Sequence, residues 1–323
     1  MKILVTGAGG FVAAHLVEFL KGELPDATLY GTARPQTSIA RGPSSDLTSV
    51  EADLNDPAAA ERVIDEVEPD RIVHLAGQSS VHRSWIEPGA TLRVNVLGLV
   101  NLLDAVRHRG LKPAVLVVGS AEEYGMVDPS EIPLRETTPL RPSSPYAVSK
   151  VAQAHLARLY GPAGGMKVVL SRTFPHTGPG RGETFAESSF ARQIAEIEAG
   201  LRPPVLSVGN LEAVRDYTDV RDVVRSYWTL LEKGKAGEVY NVCSGRGRRI
   251  QEMLDMLLAS SSVRLEVKVD SKRLRPSDVP VLVGDPSKLR ADTGWAPGIP
   301  LEQTLRDLLE DWRRRIVPAE SPA

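Results

Sequence analysis

The sequence predicts an α/β fold with a doubly wound parallel sheet and a smaller carboxy-terminal α/β domain. Short apolar runs alternate with helical patterns through the first half of the chain, which predicts parallel strands joined by crossover helices. These runs are continuous and rich in β-branched residues, as expected of strands buried on both faces. The predicted strands are residues 2–6, 28–32, 71–75, 114–118, 167–172 and 239–242; the predicted helices include 11–20, 58–67, 92–108, 148–159 and 188–199.

The pattern changes after residue 173, where a segment rich in Pro and Gly covers residues 175–180. We therefore predict two interlocked domains, with the chain crossing between them more than once. The first comprises residues 1–172 and about 216–245, and the second comprises residues 173–215 and about 246–316. Residues 317–323 are expected to form a frayed tail.

Composition narrows the class of protein. The chain has 323 residues, of which 42% are hydrophobic, enough for a large core. The 39 basic and 41 acidic residues leave a net charge of -2, so nothing points to nucleic-acid or membrane partners. A single cysteine, Cys243, excludes an intrachain disulfide. The amino terminus lacks a signal pattern, and no apolar run approaches the roughly 20 residues of a spanning helix. These features predict a cytoplasmic protein.

A glycine-rich loop follows the first strand, in the stretch Thr-Gly-Ala-Gly-Gly-Phe-Val at residues 6–12. Glycines there allow a tight turn and a close approach of the backbone to a pyrophosphate, and the next helix offers its free N–H groups. A glycine pattern alone is often only a turn. Its place between a strand and a helix predicts a dinucleotide site of the Rossmann type. The predicted contacts are Gly7, Gly9, Gly10, Phe11 and Val12.

Three further segments are expected to meet the cofactor. The second strand ends without the acid that usually holds the ribose of NAD, and Arg34 there favours the 2′-phosphate of NADP, with NAD possible. The alternative is a surface arginine. Asp53, followed by Leu54, has the position of an adenine ligand, although a turn or a helix cap explains it almost as well. The strand predicted at residues 71–75 ends in Leu75, Ala76 and Gly77, which should pass beside the cofactor's ribose and phosphates.

A tyrosine and a lysine one helical turn apart, Tyr146 and Lys150, form a candidate proton-transfer pair. A free tyrosine has a pKa near ~10, and we expect the ammonium of Lys150 to lower it. Ser120, after a predicted strand, would hydrogen-bond the substrate oxygen. The alternative is a helix with ordinary surface residues. Of the two acids that follow, Glu122 and Glu123, one is a candidate base or else a solvated loop acid.

Taken together, these motifs resemble the extended short-chain dehydrogenase/reductase family of nucleotide-sugar enzymes, over the chain to about residue 315. More narrowly, the chain resembles the GDP-6-deoxy-D-mannose reductases, which are relatives of the GDP-mannose 4,6-dehydratases. The stretches that carry this resemblance are residues 119–126, 209–216, 241–245 and 274–280. The resemblance implies that the first domain holds NAD(P)H and the second holds a GDP-sugar.

The activity that the resemblance implies is reduction of the C4 keto group of GDP-4-dehydro-6-deoxy-D-mannose to GDP-D-rhamnose. Ser120, Tyr146 and Lys150 would be the catalytic residues. The first alternative is the 4,6-dehydratase, in which Glu122 would be the base, although residues 216–222 fit the reductases better. A second alternative is a dinucleotide sensor without catalysis, but such proteins typically lose the tyrosine or the lysine. No metal is implied.

The resemblance also implies a set of residues for the GDP-sugar. Two arginines match those that clamp its diphosphate, although each alone resembles a surface ion-pair residue. Asn210 and Gln193 match residues of the guanine pocket. His176 belongs to the stretch at residues 172–176, which departs from the family because Pro175 stands where Asn is usual. The implied substrate residues are His176, Gln193, Asn210, Arg215 and Arg275.

Finally, the resemblance implies a homodimer in which two helices of each subunit form a four-helix bundle. Residues 92–103 are apolar on more than one face, and residues 148–159 also carry an apolar stripe. Such an interface would be isologous. The alternative is that both helices pack only within one subunit.

Overall fold

A seven-stranded parallel sheet forms the centre of the first domain. The computed structural model describes residues 1–34, 47–273 and 279–316. Strand β4 lies in the middle, and the order β11-β6-β5-β4-β1-β2-β3 reverses direction between β1 and β4. The predicted doubly wound fold is therefore confirmed. The strands are β1 (Lys2–Thr6), β2 (Thr28–Ala33), β3 (Thr48–Glu51), β4 (Arg71–His74), β5 (Ala114–Ser120), β6 (Lys167–Thr173) and β11 (Val239–Val242).

Most strand predictions differ from the structure by one or two residues at an end. In the central sheet the exception is β3, which the sequence reading missed; the short strands outside this sheet were not predicted either. The four residues of β3 include only one buried side chain, Val50, so it shows no apolar run. An edge strand paired on one side needs little burial, which removes the signal on which the prediction relied.

Helices cover both faces of the sheet, as a doubly wound fold requires. On one face α1 packs against α7, and on the other α2 packs against α4, which in turn packs against α5. Their apolar sides form two separate cores with the two faces of the sheet. These helices are α1 (Phe11–Glu23), α2 (Pro57–Val67), α3 (Val81–Ile86), α4 (Pro88–His108), α5 (Pro145–Gly164) and α7 (Val220–Lys233).

Helix α4 is longer than predicted and contains a π-helical segment, Arg93–Leu97. By length and composition alone, its 21 residues would be enough to cross a membrane, so the expectation that no apolar run approaches that length was wrong. However, 44% of its apolar window is buried inside the protein. Leu99, Leu102 and Leu103 are fully buried in the core shared with α2. These contacts are those of a core helix.

The elements outside the central sheet and its covering helices are called the second domain here. Three of its helices pack beside two small sheets. Its core is formed by apolar residues of all three helices and of β8. Strands β8 and β13 form a parallel pair, β12-β9-β14 form a three-stranded sheet, and β7 pairs with β10 where the chain crosses between domains. The helices are α6 (Ala186–Glu198), α8 (Ile250–Ala259), α9 (Ser287–Thr293) and α10 (Leu301–Ile316), of which α9 packs on the first domain. The strands are β7 (His176–Thr177), β8 (Val205–Val208), β9 (Val214–Asp216), β10 (Thr218–Asp219), β12 (Gly247–Arg249), β13 (Glu266–Val269) and β14 (Val281–Leu282).

Candidate active site

A cavity of about 1480 Å³ lies at the carboxyl ends of the central strands, against the second domain. This is the edge at which doubly wound sheets bind ligands, where the strand order reverses. Residues predicted from separate parts of the sequence meet here. The expected cofactor residues that line the cavity are Gly7, Gly9, Gly10, Phe11, Val12, Arg34, Asp53, Leu54, Leu75, Ala76 and Gly77. The expected catalytic and substrate residues that line it are Ser120, Glu122, Tyr146, Lys150, His176, Asn210 and Arg215.

The glycine loop lies tightly against the end of β4. Gly7 has φ +71°, and a Cβ atom there would lie 2.8 Å from the backbone of Ala76, so only glycine fits. The Thr6 hydroxyl accepts a hydrogen bond from Ala76 N over 3.1 Å, which joins the two strand ends. Helix α1 starts at Phe11 with Gly10 as its cap. Because glycine offers no side chain to cap the helix, the first N–H groups of α1 are available to a phosphate.

The tyrosine and the lysine lie near the start of α5 and are almost fully buried, with 7% and 8% exposure. Lys150 Nζ donates to the Val118 carbonyl and to Gln153 Oε1, each over 2.8 Å. Burial lowers the pKa of Lys150 to about 8, against the opposing charge of Glu123. The ammonium is therefore held in place before any ligand arrives.

Burial raises the pKa of Tyr146 above its ordinary value of 10, while a hydrogen bond from Ser120 lowers it. The expectation that Lys150 would lower this pKa is not met. The cation that does lower it is Arg181. The physical reason is that desolvation of a buried phenol outweighs the nearby charges.

The two acids after Ser120 have different surroundings. Glu123 is fully buried; its carboxylate accepts from Ser120 N over 2.9 Å and from Arg172 Nε over 2.9 Å. Glu123 therefore fixes the position of the Ser120 backbone. Glu122 instead lines the cavity, and its N–H donates to Ser120 Oγ over 3.2 Å. Of the pair, only Glu122 has the position of a base that could reach a ligand.

Two expected cofactor contacts keep the alternatives that the sequence left open. Asp53 Oδ1 accepts from Asn55 N and Nδ2 over 3.0 Å and 2.8 Å, which is a turn, although the residue also lines the cavity. Arg34 is exposed at the end of β2 and lines the same cavity. A cation at this position suits a phosphate that approaches from solvent.

The second domain contributes the opposite wall. The His176 ring stacks on Phe11 at 6.3 Å between centroids, and its Nδ1 hydrogen-bonds the Phe174 carbonyl over 3.0 Å. Burial lowers the pKa of His176 to about 4, so the ring is neutral at pH 7 and Nδ1 carries its proton. Asn210 Oδ1 accepts from Glu212 N, and Arg215 Nη1 donates to the Val214 carbonyl. The Asn210 side chain is thus oriented by its own loop, and the Arg215 side chain by its own strand.

Two expected substrate residues are not among those that the structure brings together at the cavity. Gln193 does not line it: its amide accepts from Ser207 N over 2.9 Å and donates to the Ser207 carbonyl over 3.0 Å. A buried amide is satisfied best by such a pair of backbone bonds, so Gln193 joins α6 to β8. Arg275 lies outside the described residues, as does the predicted tail.

Among the cavity-lining residues that the sequence reading missed are Arg181, Glu187 and Tyr217. Arg181 lies in the loop that leads into α6, just after the Pro/Gly-rich segment. An arginine flanked by glycines next to a predicted helix was the available signal. Its burial depends on Phe11 and Phe185, which are distant from each other in sequence.

The fold, the glycine loop and the serine, tyrosine and lysine together define a nicotinamide-dependent enzyme of the extended short-chain dehydrogenase/reductase class. Within that class, the family model for GDP-mannose 4,6 dehydratase matches residues 4–308. The chain therefore belongs to the GDP-mannose 4,6-dehydratase family.

Individual proteins and solved structures are also similar to the chain over almost its whole length. GDP-6-deoxy-D-mannose reductase of Pseudomonas aeruginosa is 37% identical over 316 residues, covering 98% of each chain. GDP-mannose 4,6-dehydratase of Yersinia enterocolitica is 31% identical over 95% of this chain and 92% of its own. The structure of RMD from Pseudomonas aeruginosa complexed with NADPH matches with TM-score 0.85 and 35% identity, covering 98% of this chain and 100% of that one. UDP-glucose 4-epimerase of Thermus thermophilus, complexed with NAD, matches with TM-score 0.85, 29% identity and the same coverage.

Proposed function

We propose that the protein reduces the C4 keto group of GDP-4-dehydro-6-deoxy-D-mannose to GDP-D-rhamnose with NADPH. The observation that carries the proposal is the meeting of Ser120, Tyr146 and Lys150 with the glycine loop in one cavity. The relative with 37% identity and full coverage is a GDP-6-deoxy-D-mannose reductase, whereas the matching dehydratases are less similar.

In the proposed reaction, the bound cofactor supplies the hydride that adds to C4 of the sugar. Tyr146 gives its proton to the oxygen as negative charge develops there. Ser120, which lines the same cavity, would hold that same oxygen. Lys150, fixed by Val118 and Gln153, lies where it can orient the ribose of the nicotinamide. The residues thus position the reactants and stabilise charge.

NADPH is the proposed cofactor, with NADH as a weaker substitute. Arg34 would pair with the 2′-phosphate, while the start of α1 would hold the pyrophosphate. A similar structure binds NADPH, and another from this fold binds NAD. Leu75, Ala76 and Gly77 would pass along the ribose, and Asp53 would meet the adenine through its second oxygen.

The second domain is proposed to bind the GDP-sugar. Arg215 and Arg275 would pair with the diphosphate, and Asn210 would lie at the guanine. His176 would face the substrate as a neutral ring. We no longer propose Gln193 as a ligand, because Ser207 already satisfies its amide.

A direct assay tests the proposal. Purified protein is mixed with GDP-4-dehydro-6-deoxy-D-mannose and either NADPH or NADH, and NMR identifies the product. The proposal requires NADPH oxidation with GDP-D-rhamnose as product. No oxidation with either cofactor, or a product with the opposite configuration at C4, would refute it.

A dehydratase is the second candidate, because Glu122 lines the cavity beside Ser120. A dehydratase would convert GDP-mannose alone without net consumption of cofactor. Incubation with GDP-mannose and a trace of NADP therefore separates the two activities. A ketosugar product would favour the dehydratase; unchanged GDP-mannose would favour the reductase.

We also propose that the protein is a cytoplasmic homodimer, without nucleic-acid or membrane partners. The outer faces of α4 and α5 carry large apolar side chains that the subunit leaves open. Leu92, Leu97 and Val148 are 40%, 51% and 46% exposed. Pairing of these faces across a two-fold axis would cover them and would brace the helix that carries Tyr146.

A further inference from the structure

Arg181, Glu187 and Tyr217 form a cluster of polar side chains on the side of the cavity that the second domain lines. This cluster has no role in the reaction proposed above. Arg181 and Glu187 are 13% and 1% exposed, and Arg181 Nε lies 3.7 Å from Glu187 Oε1. The hydroxyl of Tyr217 donates to Glu187 Oε2 over 2.9 Å. All three residues line the cavity that also contains Tyr146. The cluster therefore faces the place where the substrate would react.

The arginine in this cluster is fixed in one orientation. Its guanidinium lies between two rings, 3.4 Å from the centroid of Phe185 and 5.0 Å from that of Phe11. The Ser188 hydroxyl donates to the Arg181 carbonyl over 3.0 Å and anchors the loop. A planar guanidinium held between rings keeps its donors in one plane, so Arg181 is preorganised for hydrogen bonding along its edge.

Hydrogen-bonding capacity is left over in this cluster. Among the described residues, Arg181 Nε and Glu187 Oε1 are buried without a hydrogen-bond partner. Buried polar atoms are rarely left so, because they have lost their hydrogen bonds to water without replacing them. A hydroxyl group accepts one hydrogen bond and donates another. An unpartnered donor and an unpartnered acceptor this close together therefore fit a hydroxyl.

We infer that Arg181, Glu187 and Tyr217 form a subsite for the ring hydroxyl groups of the hexose in the nucleotide sugar. The inference deepens the proposed function and rests on it. Glu187 already balances the charge of Arg181, and its carboxylate would repel a phosphate, so the cluster suits neutral hydroxyls better than the diphosphate. A sugar held here has one orientation, which determines the face of C4 that meets the hydride.

The position of the subsite relative to the reacting carbon supports this assignment. Tyr146 has to contact the C4 oxygen of the sugar. Burial raises the pKa values of Tyr146 and Tyr217, and the nearby charge of Arg181 opposes that rise at both phenols. The rest of the sugar ring therefore extends from Tyr146 within reach of this cluster.

Calorimetric titration with two ligands tests the subsite. NADPH-saturated protein is titrated with GDP-mannose, which carries a hexose, and with GDP, which does not. Arg181→Met removes the guanidinium but keeps the chain length. We expect GDP-mannose to bind about tenfold more weakly and GDP to change by less than about twofold. Arg192→Met, on α6 but not lining the cavity, is the matched control and should change neither.

Equal weakening of both ligands by Arg181→Met would make the arginine a phosphate ligand and overturn the inference. Unchanged affinity for GDP-mannose would also overturn it. If thermal unfolding shows that Arg181→Met does not fold, Glu187→Gln, which keeps the side-chain volume, carries the same test with the same expected outcome. Because these titrations measure binding, failure of the ketosugar assay would refute the proposed function and leave the subsite standing.

Discussion

Burial sets the chemistry of single residues at this site more than pairwise charge does. Tyr146 and Lys150 are a helical turn apart, yet burial shifts both pKa values toward the neutral forms. A phenol that keeps its proton until a substrate oxygen approaches suits a proton donor.

Tyr146→Phe should reduce turnover of the ketosugar by about 10²–10⁴-fold, because only the transferable proton is removed. The affinity for NADPH should stay within about twofold of the original, measured by fluorescence titration. Tyr160→Phe is the matched control, since Tyr160 lies near the other end of α5 and donates to Asp104. Near-normal turnover by Tyr146→Phe would show that another group gives the proton.

The buried Lys150 should make stability depend on pH. Its folded pKa of about 8 lies below its ordinary value of 10.5, so the unfolded chain binds the proton more tightly between these values. The free energy of unfolding should therefore rise with pH across this window, by about 3 kcal/mol at most. Urea unfolding at pH 7 to 10 should show this rise, and Lys150→Met should remove it. The same slope in both proteins would contradict burial of a charged lysine.

Arg34→Ala should weaken NADPH and leave NADH nearly unchanged, because only NADPH carries the 2′-phosphate. A charge-assisted contact contributes about 1.5–3 kcal/mol, so the dissociation constant for NADPH should rise about 10- to 100-fold. Arg62→Ala, on the exposed side of α2, serves as the control. Similar losses for both cofactors would leave Arg34 as an ordinary surface residue.

The side chains proposed for catalysis lie at the ends of strands or near the starts of helices. Strands β1, β4 and β5 end at one edge of the sheet, and helices α1 and α5 begin close to it. Ser144 caps α5 by accepting from Ala147 N over 3.1 Å, which fixes the turn that carries Tyr146. The contact between the glycine loop and the end of β4 holds the start of α1 in place.

A pair of alanine substitutions tests that contact. Gly7→Ala should destabilise the protein by more than about 1 kcal/mol and impair NADPH binding, because its Cβ would meet the Ala76 backbone and its φ is positive. Gly22→Ala, within α1 and with nothing within 4 Å of its Cβ, should stabilise the protein by about 0.5–1 kcal/mol. Thermal unfolding measures both, and destabilisation of equal size would show that the close approach is not specific to Gly7.

At the scale of the whole molecule, the cavity lies between the central sheet and the smaller group of helices and strands that follows β6. The segment that leaves β6 carries His176 and Arg181 into the second wall, and β9 carries Arg215. In the assembled protein, the outer faces of α4 and α5 provide the proposed subunit contact. The exposed apolar side chains of α4 and α5 lie outside the two cores that flank the central sheet.

Leu97→Asp should convert the dimer into a monomer at micromolar concentration, because it puts a charge on a half-exposed apolar face. Multi-angle light scattering measures the mass. Val267→Asp, on the exposed strand β13, is the control and should leave the mass unchanged. A wild-type monomer would refute the dimer outright and with it the idea that the interface braces α5.

Much of this protein could be predicted from local patterns. Buried parallel strands show as continuous apolar runs, and the glycine loop and the Tyr146–Lys150 spacing are encoded within a few residues of each other. The doubly wound parallel sheet and the edge at which the cofactor is expected follow from such signals and known connection rules. The resemblance supplied the substrate class, which no residue pattern alone contains.

Contacts between distant segments, by contrast, became visible only in the folded chain. Glu122 and Glu123 are adjacent and alike in sequence, but only Glu123 meets Arg172, so only Glu122 faces the cavity. Gln193 resembled a ligand until Ser207 was found to satisfy its amide. The buried position of Arg181 required two rings from different domains. Burial and hydrogen-bond partners depend on which surfaces meet, and that is a property of the packed molecule rather than of any local stretch of sequence.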